Sequence, residues 1–258
     1  MNDNPFDSPN LMLNRAREHR EELNSRAKRF FDENPCVHFT DRDPDTGHYL
    51  RKAKLEVPLP TSLWPIAADA FNNLRSALDQ TVSASVRRLD PTASLDGVGF
   101  CFGKSKAHFE NTIGRAPKVI HPRVFDVMRF FQPYVGGNDR LAVLNILAKA
   151  NKHRSLIALG ASIDTVEVNL LELPGRGPIL RPYWDSTKNE LVISRTAENV
   201  EPRYDLNATF YIGLKEVEGF EGAPVIVVID YLCAVVSSFL TGMESDIGFI
   251  AAGRSPPG

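Results

Sequence analysis

The sequence predicts an α+β fold, with amphipathic helices first, an antiparallel β-sheet after residue 155 and a buried helix near the C-terminus. Three observations predict it. Apolar residues recur at helical spacing through 8–34 and 61–154. The pattern turns strand-like after Ser155. A nearly unbroken apolar run then extends from Pro224 to Leu240. The chain has 258 residues, 43% hydrophobic and 24% charged, which excludes a wholly disordered, collagenous or coiled-coil protein. No flexible linker is visible, so 1–258 reads as a single compact unit with a helical part and a sheet part.

The elements follow in order. Ser8-Pro9 reads as a helix start, a hydroxyl cap followed by proline at the first helical position. Met12, Ala16, Leu23, Ala27 and Phe30/Phe31 continue the helix, and Asn34-Pro35 ends it. Residues 36–57 alternate around Asp43-Pro44-Asp45-Thr46-Gly47, where proline pre-sets φ and glycine accepts positive φ. A β-hairpin is expected there, with His38 and His48 facing each other across it. Pro58–Ser62 opens the strongest helix, whose stripe runs from Leu63 through Ile66, Ala70, Phe71, Leu74, Leu78, Val82 and Val86 to Leu89. Asp90-Pro91 stops it. Residues 91–120 are looser, with an apolar run at Val98–Phe102 and a turn of helix after Ser105. Further helices start at Pro122 and at a capping Asp139. Strands are expected at 156–163, 166–173, 179–183, 191–195 and 206–214, within a sheet part spanning 155–222. A hairpin turn is expected at Asp185–Asn189. The closing helix, 223–241, is apolar on nearly every side, and 251–258 reads as a disordered tail.

Cys36, Cys101 and Cys233 are odd in number and far apart, with neither metal-ligand spacing nor a disulfide framework. The N-terminus lacks the basic and apolar regions of a signal peptide. The apolar run is shorter than the ~20 residues that span a bilayer, and Asp230 interrupts it. A cytoplasmic protein without a membrane partner is expected.

The net charge of −2 conceals an asymmetry. Residues 61–160 hold 13 Lys/Arg against 7 Asp/Glu, whereas 161–258 hold 7 against 14. A basic middle points to an anionic partner, or else the two parts neutralise each other within the fold. Phosphate-binding glycine loops, zinc-protease and nucleophile-elbow motifs and CxxC pairs are absent, so neither cofactor nor metal is expected.

Two elements inside the basic middle carry candidate chemistry. Arg75 and Asp79 are four apart, so they share a helix face, and Arg75 lies at the edge of the buried stripe. The Arg-before-Asp order is the weaker one for a local pair and favours a tertiary partner. Lys152-His153-Arg154 ends a helix, where cations either neutralise the dipole or form an anion patch with a proton-transferring histidine. Asp230, on an apolar helix, needs a partner such as Arg75 or Arg154, or a water-filled gap.

The phrase NNLRSALDQ, with FQPYVGG and LAVLNILAKANKHRSL, resembles a group of uncharacterised bacterial and phage proteins. Its Arg-x4-His-like helix is in turn similar to the HEPN domain. That resemblance covers about residues 60–157 and implies a helical, often dimeric protein, in many members a metal-independent ribonuclease or toxin in a phage or defence setting. It implies that Arg75 contacts phosphate, that Asp79 orients, and that Asn72, Gln80, Lys152 and Arg154 bind the anion or RNA. Gln80 stands where the family has histidine, and glutamine is no general acid or base at neutral pH. His153 replaces it only if the fold brings it near Arg75. Two functions are therefore expected. One is a HEPN-like RNA-binding protein or ribonuclease with Arg75, Asp79 and His153 as catalytic residues. The other is a non-catalytic interaction or scaffold homodimer in which these clusters are structural.

Overall fold

The fold is α+β, six helices and two antiparallel sheets among the described residues of a computed structural model. Those residues are 4–33, 37–153, 159–172, 183–185, 188, 190–197, 203–215 and 217–256. Contacts group the chain into two compact units, one of residues 1–23, 64–157 and 226–258, the other of 24–63 and 158–225.

The first unit is helical. Helix α1 (Asp7–Glu33) begins one residue before Ser8, because the Asn4 side chain accepts from the Phe6 N–H. Ser8 is not the cap; its hydroxyl donates instead to Gln80 Oε1 at 2.7 Å. Helix α2 (Leu63–Leu89) is the centre of the unit. The expected stripe is buried from Leu63 to Val86, with Leu89 only half-buried, and Ala67, Ala68, Thr81, Ala84 and Ser85 are buried too. The hydroxyls of Thr81 and Ser85 donate to carbonyls one turn back, at 2.7 and 2.9 Å, which satisfies them inside the core.

The looser segment is more ordered than its composition suggests. Val98–Phe102 forms no strand; it is an extended wall with Phe100, Cys101 and Phe102 buried. Helix α3 (Lys106–Gly114) has 9 residues, about two and a half turns where one is expected, and is capped by the Ser105 side chain on the His108 N–H. Gly103 is obligatory before it, since a Cβ there would lie 2.6 Å from Phe109 Cβ. Helix α4 (Pro122–Phe131) starts as proline at its first turn predicts and stops at Gln132, held at φ +50°. Helix α5 (Asp139–His153) is capped by Asn138 rather than Asp139: Asn138 Oδ1 accepts from the Leu141 N–H, while Asp139 bonds back to the Gly136 N–H.

Helix α6 (Val225–Ala251) runs ten residues beyond the expected end at 241. Met243, Asp246 and Ile247 extend its buried side. Gly253, at φ +69°, then closes it with Gly253 N–H to Ile250 O and Arg254 N–H to Phe249 O. At 27 residues it is long and apolar enough to cross a membrane by length and composition alone. Here it is amphipathic rather than buried all round: Val227, Asp230, Ala234, Ser238, Thr241 and Ser245 form an exposed stripe. Its polar side chains are engaged within the unit. Asp230 receives Arg20 at two oxygens, each 2.7 Å, rather than Arg75, while Arg154 lies outside the described residues. Asp246 receives Arg123 at 2.7 Å, and Tyr231 donates to Asn138 at 3.1 Å. Phe239 packs edge-on against Phe100 and Phe131, with centroids 5.0 and 5.7 Å away.

The second unit holds the sheets. Strands β1 (Val37–Arg42), β2 (Tyr49–Lys54), β4 (Tyr183–Asp185) and β5 (Glu190–Thr196) form one antiparallel sheet in the order β1-β2-β5-β4. The expected turn joins β1 to β2, with Asp43 accepting from the Asp45 N–H and the Thr46 hydroxyl and with Gly47 at φ +70°. His38 is level with Ala53, not His48, so the two histidines do not face each other. Asp185 and Glu190 close the β4–β5 hairpin. Strands β3 (Leu159–Glu172) and β6 (Arg203–Leu214) form a separate two-stranded ribbon. The two strands expected at 156–163 and 166–173 are one strand, with a register irregularity between Ile163 and Thr165 where a break is predicted. Lys52 is buried on β2, between Asp41 at 2.8 Å and Glu190 at 3.1 Å. The strand expected at 179–183 lies outside the described residues apart from Tyr183.

The charge asymmetry shrinks when the chain is divided by units. The helical unit holds 17 Lys/Arg and 15 Asp/Glu, the sheet unit 13 and 17. The basic middle is grouped with carboxylates from α1 and α6, one of which, Asp246, binds Arg123 directly.

Candidate functional site

Arg75 and Asp79, placed on one helix face by their spacing, form a local ion pair despite the weaker order, and their tertiary partner is the Phe100 backbone. Arg75 Nη1 donates to Asp79 Oδ1 at 2.6 Å. Asp79 Oδ1 also accepts the Phe100 N–H at 2.8 Å, and Arg75 Nη2 reaches the Phe100 carbonyl at 3.3 Å. Both backbone groups of one residue are therefore held by one ion pair, which pins the 97–102 wall onto α2. The guanidinium lies over the Phe102 ring, 4.6 Å from its centroid, a cation–π contact. Close approach of the wall needs Gly99, since a Cβ there would come within 3.0 Å of Asp79 Oδ1.

Burial decides the electrostatics here. The side chains of Arg75 and Asp79 are 22% and 38% exposed. Burial pulls the Arg75 guanidinium below its usual value, against the attraction of Asp79. The Cys101 thiol is buried and its pKa is pushed up by that burial, with Arg75 opposing the shift, which disfavours the thiolate. Cys233, also free and buried, is pushed up to about 11 for the same reason.

The wall and α2 form one side of a cleft of ≈ 810 Å³. Its other side is α3 and the turn after it, with His108, Asn111, Thr112 and Arg115. These four recur at helical spacing, opposite the buried Phe109 and Ile113. That polar stripe is the signal sequence reasoning missed, because the segment read as a loop with one turn of helix. Glu110, the carboxylate on α3, does not neutralise the cleft; it binds Arg129 at 3.0 Å. The Thr112 hydroxyl is committed to the His108 carbonyl at 2.9 Å. His108 and Arg115 are exposed and form no ion pair among the described residues.

The other expected site residues are dispersed. Gln80 is turned toward Ser8 on α1 and does not line the cleft. Asn72 does not line it either; its amide oxygen is buried without a hydrogen-bond partner. Lys152 and His153 occupy the last turn of α5, their side chains lying outside the description, and Arg154 lies outside the described residues. Among the described residues no group of three His, Cys, Asp or Glu side chains is arranged to hold a metal. In comparisons with known proteins, the chain matches no family model, no curated protein and no solved structure.

Proposed function

We propose that this chain is a non-catalytic interaction or scaffold protein in which the Arg75–Asp79 pair is structural. One observation carries the reading: the pair spends its hydrogen bonds on itself and on the two backbone groups of Phe100. A catalytic arginine has to keep its donors for a substrate oxyanion. The position that a HEPN-like ribonuclease gives to its histidine is Gln80, whose side chain accepts from Ser8. The two free, buried thiols favour a reducing, cytoplasmic setting.

Arg75→Ala tests this reading through thermal unfolding and through incubation of single-stranded RNA with the wild-type protein in the presence of EDTA. The expected result is intact RNA and a lowered melting temperature for the variant. Metal-independent cleavage that Arg75→Ala abolishes at an unchanged melting temperature would establish the ribonuclease instead.

A further inference from the structure

We propose that the cleft between the 97–101 wall and α3 binds a small phosphate monoester, with Arg115, His108 and Asn111 on the phosphate and Val98 and Pro117 against the rest of the molecule. Charge is the first argument. The charges of Arg75 and Asp79 cancel in their ion pair, which leaves Arg115 as the cation among the residues lining the cleft. The nearby Glu110 is held by Arg129, so Arg115 faces the cleft with its charge uncompensated. A desolvating concave wall strengthens such a field over what the same arginine exerts on a flat surface.

Donor geometry is the second argument. Arg115 offers a planar fork, Asn111 an amide NH₂ and His108 a ring N–H. These donors converge from one helix face, as spacings of 3 and 4 residues require. A phosphate monoester has three terminal oxygens to receive them, one more than a carboxylate. Size is the third. A phosphate group alone fills a small part of ≈ 810 Å³, and that volume lies within the range of roughly 300–1,000 Å³ typical of small-molecule sites. Val98, Ala116 and Pro117 supply an apolar surface for a second, uncharged portion. The cation invoked, Arg115, is no part of the Arg75–Asp79 clasp, so the site stands or falls separately from the structural reading of that pair.

The test titrates the ¹⁵N-labelled protein with inorganic phosphate and with phenyl phosphate, at constant ionic strength so that screening does not change. Saturable shifts confined to amides 97–101 and 108–117 are expected, with phenyl phosphate binding more tightly than phosphate. Arg115→Ala, on an exposed side chain, should fold normally and weaken both by about tenfold or more, the loss of one charge-assisted contact. No saturation at tens of millimolar, equal shifts in the variant, or equal affinity for both probes would each overturn the proposal. Tighter binding of a single-stranded RNA, with shifts spreading beyond the cleft, would replace the small ligand by a polynucleotide.

Discussion

Replacing Asp79 by alanine removes an acceptor that serves two donors at once. The Phe100 N–H, bonded at 2.8 Å, loses its partner in a partly buried place. A stranded backbone donor costs about 1–3 kcal/mol. Arg75 loses its 2.6 Å counter-ion while its side chain remains only 22% exposed. Removing one member of a fully buried pair costs about 3–5 kcal/mol, and the 38% exposure of Asp79 places this pair well below that limit. The sum expected is about 2–4 kcal/mol. For a chain of this size that lowers the melting temperature by about 5–15 °C. Asp79→Asn keeps an oxygen for Phe100 and loses only the charge, so it should fall about midway between wild type and alanine. Far-UV circular dichroism melts and guanidinium titrations of the three proteins measure this series. An alanine variant within about 0.5 kcal/mol of wild type, the range of ordinary surface substitutions, would refute the clasp.

Other consequences are open to equally direct measurement. Phe239→Ala empties the ring site between Phe100 and Phe131 and should cost about 3–5 kcal/mol in denaturant unfolding; a loss under 1 kcal/mol would mean that α6 is not anchored there. Arg20 and Asp230 form a bidentate but half-exposed pair, so a double-mutant cycle should return a coupling of about 0.5–1.5 kcal/mol, and zero coupling would contradict the geometry. Asp43 is held below the usual carboxylate range by the Thr46 hydroxyl and the Asp45 N–H. Its folded value is depressed, so its stabilising effect is fully present above the unfolded value of ~3.9 and is lost as pH falls through the folded one. The melting-temperature gap between wild type and Asp43→Asn should therefore close on acidification below that value, and a gap that stays constant would exclude the linkage. In a Cys36→Ser background, Cys101 and Cys233 should resist a thiol reagent at neutral pH until the protein is denatured, since both are buried and Cys233 is pushed up to about 11.

The helices were legible where a local rule decides them. The stripe of α2, proline at the start of α4, and the Asp43–Gly47 turn depend on residues within a few positions of each other. Boundaries were less legible. Asn138 and Asp139 are both good caps, and only the Gly136 loop shows that Asp139 is engaged elsewhere. The C-terminal half of α6 looks polar in sequence, yet Asp246 is accommodated on the buried side by Arg123, a residue 123 positions away. At the candidate site the contrast is sharper. Arg75 and Asp79 announce themselves by spacing, but α3 was hidden because its Ser105 cap and Phe109/Ile113 stripe are short signals in a weakly periodic stretch.

By itself the sequence determined the fold class, most of the helices, the first hairpin and the placement of Arg75 and Asp79 on one helix face, all of which follow from side chains within one or two turns of each other. The tertiary structure alone decided that β2 pairs with β5 across more than a hundred residues, and that Asp230 belongs to Arg20. It alone also turned Gln80 toward Ser8 and brought the Phe100 backbone onto the Arg75–Asp79 pair. Those outcomes depend on which distant surfaces bury each other, and the periodicity of a single segment carries no information about its partner.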